Sequence, residues 1–196
     1  EVIGTLGAAP DCIRILESPE DVERLEIPAD EKVAYLTQTT LSIDDATRVI
    51  QALSKKFPHI HTPKKEDICY ATTNRQQAVM ELALKSDLVL VVGSKNSSNS
   101  LRLVEIAANR GVKGYLVDDV SEINHAWLEG VNTLLLTAGA SAPEDLVQSI
   151  ITMLQERYHA TVEDAHVTEE NMHFELPYSL RRLEEEHAAP LTVAGR

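Results

Sequence analysis

The sequence predicts an α/β protein made of repeated strand–turn–helix modules, with parallel sheets arranged around a central cavity. Residues 88–92 form an unbroken run of branched apolar side chains, which is typical of a strand covered on both faces in a parallel sheet. A polar turn and an amphipathic helix follow this run, as they follow other apolar segments of the chain. Residues 33–45 and 133–145 also repeat one strand–turn–helix pattern 100 positions apart, which indicates related modules.

The composition is that of an ordinary globular protein with an acidic surface. The 196 residues are 43% hydrophobic and 25% charged, and only 4% are aromatic, so we expect an aliphatic core. A net charge of −13 argues against nucleic acid and an anionic membrane surface as partners, although an anionic small ligand needs only a local pocket. No apolar run approaches the roughly 20 residues that a membrane-spanning helix needs, so no membrane partner is expected.

The first part of the chain is predicted to alternate short strands with capped helices. Two glycines and a proline indicate a loop over residues 1–10. Ser18 and Pro19 are typical of the N-cap and first position of a helix, and Ser42 caps a longer one. The predicted elements are a strand at 12–16, a helix at 19–25, a strand at 33–36 and a helix at 43–57. A stretch rich in proline and histidine then ends a first module, residues 1–63.

The second module, residues 64–158, is predicted to contain three strands, one of them the buried run at 88–92, and four helices. Gly111 is placed to end one helix, and Ser121 and Pro143 to begin two others. The predicted elements are helices at 75–85, 101–109, 122–128 and 143–158, and strands at 88–92, 114–117 and 133–136. A C-terminal extension, residues 159–196, is expected to hold one strand near 173–176 and then a loose tail.

Three polar turns follow predicted strands, at residues 37–42, 94–100 and 137–143. In open α/β sheets ligands bind at the carboxyl ends of the strands, so these turns are expected to converge on one cavity. The middle turn precedes a helix N-terminus, which favours an anion, and Lys95 adds a positive charge. A capped turn with solvated serines remains the alternative. The P-loop pattern is absent from this turn.

The two cysteines, Cys12 and Cys69, form neither a CxxC pair nor a disulfide framework, so we expect a reducing location. Cys12 lies in an apolar segment and is expected in the core. Two interpretations of Cys69 stay open from its neighbours alone. It is either a thiolate stabilised by polar residues and Arg75 near a helix start, or an inert structural cysteine.

Four motifs together resemble the LytB family, the 4-hydroxy-3-methylbut-2-enyl diphosphate reductases of the non-mevalonate isoprenoid pathway. They are Thr-Gln-Thr-Thr-Leu-Ser at 37–42, Asp-Ile-Cys-Tyr-Ala-Thr-Thr-Asn-Arg-Gln at 67–76, Val-Gly-Ser-Lys-Asn-Ser-Ser-Asn-Ser at 92–100 and Thr-Ala-Gly-Ala-Ser-Ala-Pro at 137–143. The resemblance covers residues 1–154, and the segment 170–177 is also similar.

The resemblance implies an iron–sulfur reductase that removes an allylic hydroxyl and forms isopentenyl and dimethylallyl diphosphates. It implies a 4Fe–4S cluster with Cys69 as one ligand, ferredoxin or flavodoxin as the electron donor, and Thr39 and Glu1 as the catalytic residues. It assigns the allylic diphosphate substrate to a set of polar side chains: Thr39, Thr40, Ser97, Ser98, Asn99 and Ser141. Gln38 is expected beside them. A bacterial cytoplasm or a plastid stroma is the expected location.

The sequence departs from the family pattern at the cluster, because the family's other two cluster cysteines lie upstream of Glu1 and Cys12 matches neither. One thiolate does not hold a cluster that normally needs three or four. We therefore expect this chain to be the C-terminal portion of such an enzyme, with its upstream part as a partner. Two alternatives stay open: a phosphate-ester-binding module without redox chemistry, and an inactive fragment that serves only in assembly.

Overall fold

The computed structural model describes residues 2–28, 31–63, 67–170 and 173–187. Its centre is a parallel sheet of three strands, β1 (Leu88–Val92), β2 (Lys113–Val117) and β3 (Leu134–Ala138), in the order β2-β1-β3. Leu88 at the start of β1 is level with the first residue of both neighbours, so the three strands end at one edge. The predicted α/β class with parallel strands is confirmed.

Helices cover both faces of this sheet, because the central strand is apolar on both sides. All five residues of β1 are buried, with Val89 and Val91 on one face and Leu90 and Val92 on the other. The helices are α1 (Val2–Ala8), α2 (Pro19–Arg24), α3 (Ile43–Lys56), α4 (Tyr70–Leu82), α5 (Ser98–Asn109), α6 (Glu144–Tyr158) and α7 (Tyr178–His187). Burial of each aliphatic side chain of β1 stabilises the fold by about 1.5–3 kcal/mol.

Two hydrophobic clusters lie on opposite faces of the sheet. The first joins the alternate residues Val89 and Val91 to α4 and α5, and its other buried members are Val79, Ala83, Leu103, Ile106 and Ala107. The second joins Leu90 and Val92 to α6, with Val117, Ile123 and Ile150 as its other buried members. The helix that precedes β1 and the helix that follows it thus pack side by side on one face.

Helices α2 and α3, which precede the sheet in the chain, pack against each other. Val22 of α2 is almost fully buried, as are Ala46 and Leu53 of α3. The Lys56 ammonium donates to the carbonyls of residues 22, 23 and 25, at 2.7–2.8 Å, and so satisfies the C-terminal end of α2.

The caps predicted at Ser18 and Ser42 and the helix end predicted at Gly111 are confirmed. The Ser18 hydroxyl accepts from Asp21 N–H while the Asp21 carboxylate accepts from Ser18 N–H, which is a complete capping box with Pro19 at the first helical position. Ser42 caps α3 through Asp45 N–H. Gly111 follows α5 with φ of +79°, a left-handed conformation that favours glycine.

Of the two strands predicted in the first module, one is not formed and the other is reduced to a single bridge. Residues 12–16 form a turn and then coil that pairs with no strand among the described residues, and Cys12 is exposed rather than in the core. The strand predicted at 33–36 is a single parallel bridge between Ala34 and His61. Extended backbone becomes a strand only when a neighbour takes its N–H and C=O groups, and this part of the structure offers one short contact.

Four further predictions need correction. Within the loop predicted at 1–10, residues Val2–Ala8 form α1. The strand predicted at 173–176 is coil that leads into α7, which occupies the start of the predicted loose tail; residues 188–196 of that tail lie outside the described residues. The helix at 122–128 is instead two 3-10 turns, Val120–Glu122 and His125–Leu128. Asp119 rather than Ser121 caps the first of these turns, and Asn124 caps the second, so each side chain starts its own short turn.

Helix α4 begins five residues before its predicted start and ends three before its predicted end, where a 3-10 turn, Ala83–Lys85, follows it. The division into residues 1–63, 64–158 and 159–196 stays a prediction.

Candidate functional site

A cleft of about 200 Å³ lies beyond the carboxyl ends of the three strands. Its lining comes from the turn after β1, from the end of β2 and from the turn after β3. The lining residues are Gly93, Ser94, Ser97, Ser100, Asp118, Ser141, Ala142, Pro143 and Leu146. Two of the three predicted polar turns therefore share one cleft, and they bring Ser97 and Ser141 together from positions 44 residues apart. The lining combines four serines and one aspartate with the apolar residues Ala142, Pro143 and Leu146.

Ser97 is the N-cap of α5. Its Oγ accepts a hydrogen bond from the N–H of Ser100 at 3.3 Å, and the Ser100 hydroxyl donates to the same Oγ at 3.0 Å. The first N–H groups of a helix have no partner inside the helix, so this end presents donors and a positive dipole end beside the cleft. Such an arrangement favours an anionic group.

Gly93 and Gly139 allow the serine turn to approach the strand ends. Gly93 follows β1 and Gly139 follows β3, and a Cβ atom at either position would collide with the Ser100 Oγ. Gly139 also donates its N–H to the Val92 carbonyl at 2.9 Å, which holds the third turn against the central strand. Close packing of backbone on the Ser100 hydroxyl thus fixes the two turns relative to each other.

Asn99 has a buried side chain with unmet hydrogen-bonding capacity. Its exposed fraction is 6%, and neither the amide nitrogen nor the amide oxygen has a partner among the described residues. A Cβ atom on Gly139 would lie 3.7 Å from the Asn99 amide nitrogen, so this side chain lies against the turn after β3. An unpaired buried amide costs free energy unless a ligand or water satisfies it.

The ammonium group of Lys95 is paired with a carboxylate. Its Nζ lies 2.9 Å from the Glu122 carboxylate, and Glu122 also accepts the N–H of Asp118 at 3.0 Å. The hydrogen bond from Glu122 raises the pKa of Lys95, and the bond from Lys95 lowers the pKa of Glu122. The carboxylate of Asp118 on the cleft wall and the pairing of Lys95 together reduce the positive potential that the sequence predicted there.

Thr39 and Cys69 are neighbours through the main chain. Cys69 is the N-cap residue of α4, and its N–H donates to the Thr39 carbonyl at 3.1 Å. The side chains of both residues are exposed, and the Cys69 thiol is free. The polar turn at 37–42 therefore lies against the cysteine motif at 67–76, although the strand predicted before this turn is reduced to one bridge.

Gln76 holds this turn in place from inside the protein. The side chain is fully buried, its amide nitrogen donates to the Leu41 carbonyl at 2.8 Å, and its amide oxygen accepts from Ile43 N–H at 3.1 Å. At the other end of the turn the Asp67 carboxylate accepts from Thr37 N–H at 2.9 Å. The turn is thus attached to α4 and its preceding segment at both ends.

The C-terminal extension meets the same helix. The Asn74 amide donates to the Glu170 carboxylate at 2.9 Å, and the rings of Tyr70 and Phe174 lie 6.1 Å apart. This contact places part of the predicted 170–177 motif beside the first turns of α4.

The predicted site residues fall into two groups. Ser97 and Ser141 line the cleft, with Asn99 buried and Ser98 exposed in the first turn of α5. Thr39 and Cys69 form the second group, with Gln38 and Thr40 half-buried in the same turn. None of the described residues of the 37–42 turn lines the cleft. Glu1 lies outside the described residues.

Sequence interpretation missed Ser100, Gly93, Gly139 and Gln76 as residues that shape the site. Gln76 had a detectable signal, because it lies on the buried stripe of α4 with Thr72 and Val79, at helical spacing. A polar residue on such a stripe indicates a specific partner. The two glycines had no local signal, because their requirement comes from a side chain on another element.

A larger cleft of about 490 Å³ lies elsewhere, between α3 and α5. Its lining is Ser42, Asp44, Asp45, Thr47, Arg48, Met80, Ile106, Asn109 and Arg110, and it includes none of the predicted site residues. We therefore place the candidate site at the smaller cleft and at the Thr39–Cys69 turn.

The metal-binding capacity of the described part of the chain is limited. No group of three or more His, Cys, Asp or Glu side chains within it is arranged to hold a metal ion. Cys12 and Cys69 are both free and exposed, and Cys69 is the one whose main chain bonds to a predicted site residue, Thr39. Within the described ranges no helix has the length and apolar character needed to cross a bilayer.

Comparisons with known proteins identify relatives along most of the chain. The 4-hydroxy-3-methylbut-2-enyl diphosphate reductase of Zymomonas mobilis is 52% identical over 189 residues, which are 96% of this chain and 56% of that protein. The reductase of the same name from Histophilus somni is 54% identical over 184 residues, 92% of this chain and 59% of that protein. This chain thus spans between half and two thirds of the length of these relatives.

A solved structure shares the fold. The E-1-hydroxy-2-methyl-but-2-enyl-4-diphosphate reductase from Plasmodium falciparum matches with a TM-score of 0.83 and 39% identity, over 95% of this chain and 59% of that one. The model of the LytB protein family matches residues 1–155, which include the cleft and the Thr39–Cys69 turn. This chain therefore belongs to the LytB protein family.

Proposed function

We propose that this chain is the substrate-binding portion of a 4-hydroxy-3-methylbut-2-enyl diphosphate reductase and acts together with the part of the enzyme that it does not span. The observation that supports this most is the cleft at the carboxyl ends of the strands, where Ser97 and Ser141 meet beside a helix N-terminus. The names of the relatives supply the substrate, an allylic alcohol that carries a diphosphate.

Ser97, Ser98, Asn99 and Ser141 bind the diphosphate in this proposal. Hydroxyl and amide donors with a helix N-terminus suit phosphoryl oxygens, and each donor to a charged oxygen contributes about 1.5–3 kcal/mol. The unpaired amide of Asn99 supports its inclusion, because a ligand would satisfy groups that the described protein atoms leave without partners. The diphosphate then anchors the substrate while its hydroxyl end reaches the second group of residues.

Thr39 and Thr40 position the allylic hydroxyl in this proposal, and Thr39 relays a proton to it. Glu1 is the proposed source of that proton. The exposed side chain of Thr39 supports this role, because its main chain alone makes the hydrogen bond to Cys69 and leaves the hydroxyl free for a ligand. Loss of the hydroxyl as water requires two electrons and two protons in total.

A 4Fe–4S cluster suits these residues only in part. Cys69 is a free and exposed thiol, and it would hold one iron atom. The other ligands would have to come from the part of the relatives that this chain does not span, since the described residues hold no further group of ligands. When bound, such a cluster would supply the electrons of the reduction and a Lewis-acidic iron atom. Ferredoxin or flavodoxin is the proposed donor, in a bacterial cytoplasm or a plastid stroma.

The second candidate is a phosphate-ester-binding module without redox chemistry. Two observations favour it: the described residues hold no group of three metal-ligating side chains, and Ser97 and Ser141 share a cleft at a helix N-terminus. This candidate predicts that iron-free protein binds pyrophosphate and that iron adds no activity.

The two cysteines provide a matched experiment for the proposal. The natural full-length protein would be purified without oxygen as wild type, Cys69→Ser and Cys12→Ser, and its iron content and visible absorbance would be measured. We expect Cys69→Ser to lose the iron–sulfur absorbance and the reductase activity, while Cys12→Ser keeps both. Full iron content in Cys69→Ser would reject the ligand assignment, and wild-type protein without iron or reductase activity that still binds pyrophosphate would establish the second candidate.

A further inference from the structure

We propose that Ser100 is a positioning residue that holds the Ser97 hydroxyl in one orientation, with its proton directed away from α5 and toward the cleft. The proposal rests on the proposed function in one respect, which is that the ligand at Ser97 is a diphosphate. It adds a residue that the predicted site did not include and assigns it a separate task.

A count of hydrogen bonds at Ser97 supports this orientation. A serine hydroxyl has two lone pairs and one proton. The Ser97 Oγ accepts from the Ser100 N–H at 3.3 Å and from the Ser100 O–H at 3.0 Å. Both lone pairs are therefore occupied, and the Ser97 proton is left to donate to another acceptor. Since Ser97 lines the cleft, a phosphoryl oxygen there is the acceptor that this proton would meet.

The packing around Ser100 keeps the arrangement from relaxing. Ser100 has an exposed fraction of 1%, and its Oγ lies against the backbone of Gly93 and Gly139. Within the described part of the chain its hydroxyl has one acceptor, the Ser97 Oγ. A buried hydroxyl that gave up this bond would lose its hydrogen bond without gaining water, so the Ser100 proton stays directed at Ser97.

The consequence is a selective cleft. With Ser97 restricted to the donor role, its position in the cleft favours a ligand group that accepts a hydrogen bond, such as a phosphoryl oxygen, over an N–H or O–H group. The selectivity is set before the ligand arrives, because Ser100 fixes the hydroxyl in the free protein.

A double-mutant cycle tests the proposal with a readout that does not depend on turnover. Inorganic pyrophosphate would be titrated calorimetrically into the full-length protein as wild type, Ser100→Ala, Ser97→Ala and the double variant. Ser149→Ala is the matched control, since Ser149 on α6 is exposed and donates to the carbonyl of Asp145 within its own helix. Thermal unfolding of each variant would show that it is folded, and Ser100→Cys, which keeps a weak donor, replaces Ser100→Ala if that variant does not fold.

We expect Ser97→Ala to weaken pyrophosphate binding roughly tenfold or more, and Ser100→Ala to weaken it about three- to tenfold. The effect of Ser100→Ala should disappear in the Ser97→Ala background, because Ser100 acts through Ser97. Ser149→Ala should bind as wild type does. An equal loss from Ser100→Ala in both backgrounds, or no loss in either, would overturn the positioning role. Wild-type protein that does not bind pyrophosphate would overturn the proposed function as well, so the two failures are distinct.

Discussion

The N–H of Cys69 donates a 3.1 Å hydrogen bond to the carbonyl of Thr39. Because only main-chain atoms take part, substitution of either side chain leaves this bond in place. The relation between the two residues therefore depends on what holds the 37–42 turn against α4, and that support comes largely from the buried Gln76 amide.

Replacement of Gln76 by methionine is expected to loosen the turn that carries Thr39. The variant keeps the volume of the side chain but leaves the Leu41 carbonyl and the Ile43 N–H without their partner. We expect the free energy of unfolding to fall by about 2–3 kcal/mol, because two hydrogen bonds are lost at a buried position. Urea denaturation measures this change.

Gln77→Met is the control for this prediction. Gln77 lies on the same helix, and its amide makes an exposed hydrogen bond to Glu81 at 3.2 Å. This variant should change the free energy of unfolding by less than about 0.5 kcal/mol. Equal effects of the two substitutions would show that Gln76 has no special role in holding the turn.

Glu122→Gln is expected to tighten the binding of pyrophosphate. The change releases Lys95 from its 2.9 Å ion pair and removes one negative charge near the cleft, while the glutamine oxygen can still accept the Asp118 N–H. We expect the dissociation constant to fall only about two- to fivefold at low salt, since an exposed ion pair is weak and the freed charge is screened by solvent. Calorimetric titration at low and high salt measures the effect, which should shrink as salt screens it.

The matched control is Glu129→Gln, which removes an exposed carboxylate of the loop before β3. It should leave pyrophosphate binding within about 1.5-fold of wild type, since Glu129 neither lines the cleft nor pairs with Lys95, and salt screens exposed charges. Weaker binding in Glu122→Gln would mean that Glu122 contributes to the cleft in another way than by holding Lys95.

Local signals in the sequence predicted those parts of the fold whose causes are local. Residues 88–92 are a strand with the predicted bounds, because five consecutive branched apolar residues are typical of a strand that is buried on both faces. Ser18 and Ser42 cap the helices that they were expected to cap, because the cap bond spans three residues. The failed strands at 12–16 and 173–176 depended on partners distant in the chain, which no local pattern specifies.

The geometry of the candidate site followed from the sequence only in part. The sequence placed Ser97 and Ser141 in one cavity on the rule that parallel strands end together, and they do share a cleft. The same rule failed to bring the 37–42 turn to that cleft, because the strand before this turn is reduced to a bridge outside the three-strand sheet. Lys95 was expected to face the anion, but its pairing with Glu122 comes from a segment 27 residues away.

Asp87 is expected to make the stability of the fold depend on pH in the acidic range. Its carboxylate accepts from the N–H groups of Thr133 and Asn132, both at 2.9 Å, and these bonds hold its pKa below the usual value. A carboxyl with a lowered pKa in the folded protein stabilises the fold above its ordinary pKa of about 3.9 and loses that contribution as the pH falls through the lower folded value.

The comparison of Asp87→Asn with wild type isolates this effect. The variant should be less stable than wild type at pH 7, and the difference should shrink as the pH falls below about 4, because protonation then weakens the same bonds in wild type. Asp164→Asn, in the exposed segment after α6, is the control and should follow the wild-type curve. A difference between Asp87→Asn and wild type that stays constant from pH 7 to pH 3 would contradict the assignment.

Gly139→Ala is expected to impair pyrophosphate binding and stability together, whereas Gly114→Ala should impair stability alone. A Cβ at Gly139 would collide with the Ser100 hydroxyl and approach the Asn99 amide, two groups at the cleft. At Gly114 the Cβ would meet Ala107 and Val104 of α5 at 3.3 Å, on the packed side of the helix away from the cleft. Overpacking of this kind costs about 1–3 kcal/mol, so thermal unfolding should report a loss in both variants. Calorimetric titration should separate them, with affinity reduced severalfold in Gly139→Ala only, because the alanine there displaces the hydroxyl that orients Ser97. Equal affinities in the two variants would mean that the approach of Ser100 to the third turn serves packing and not the cleft.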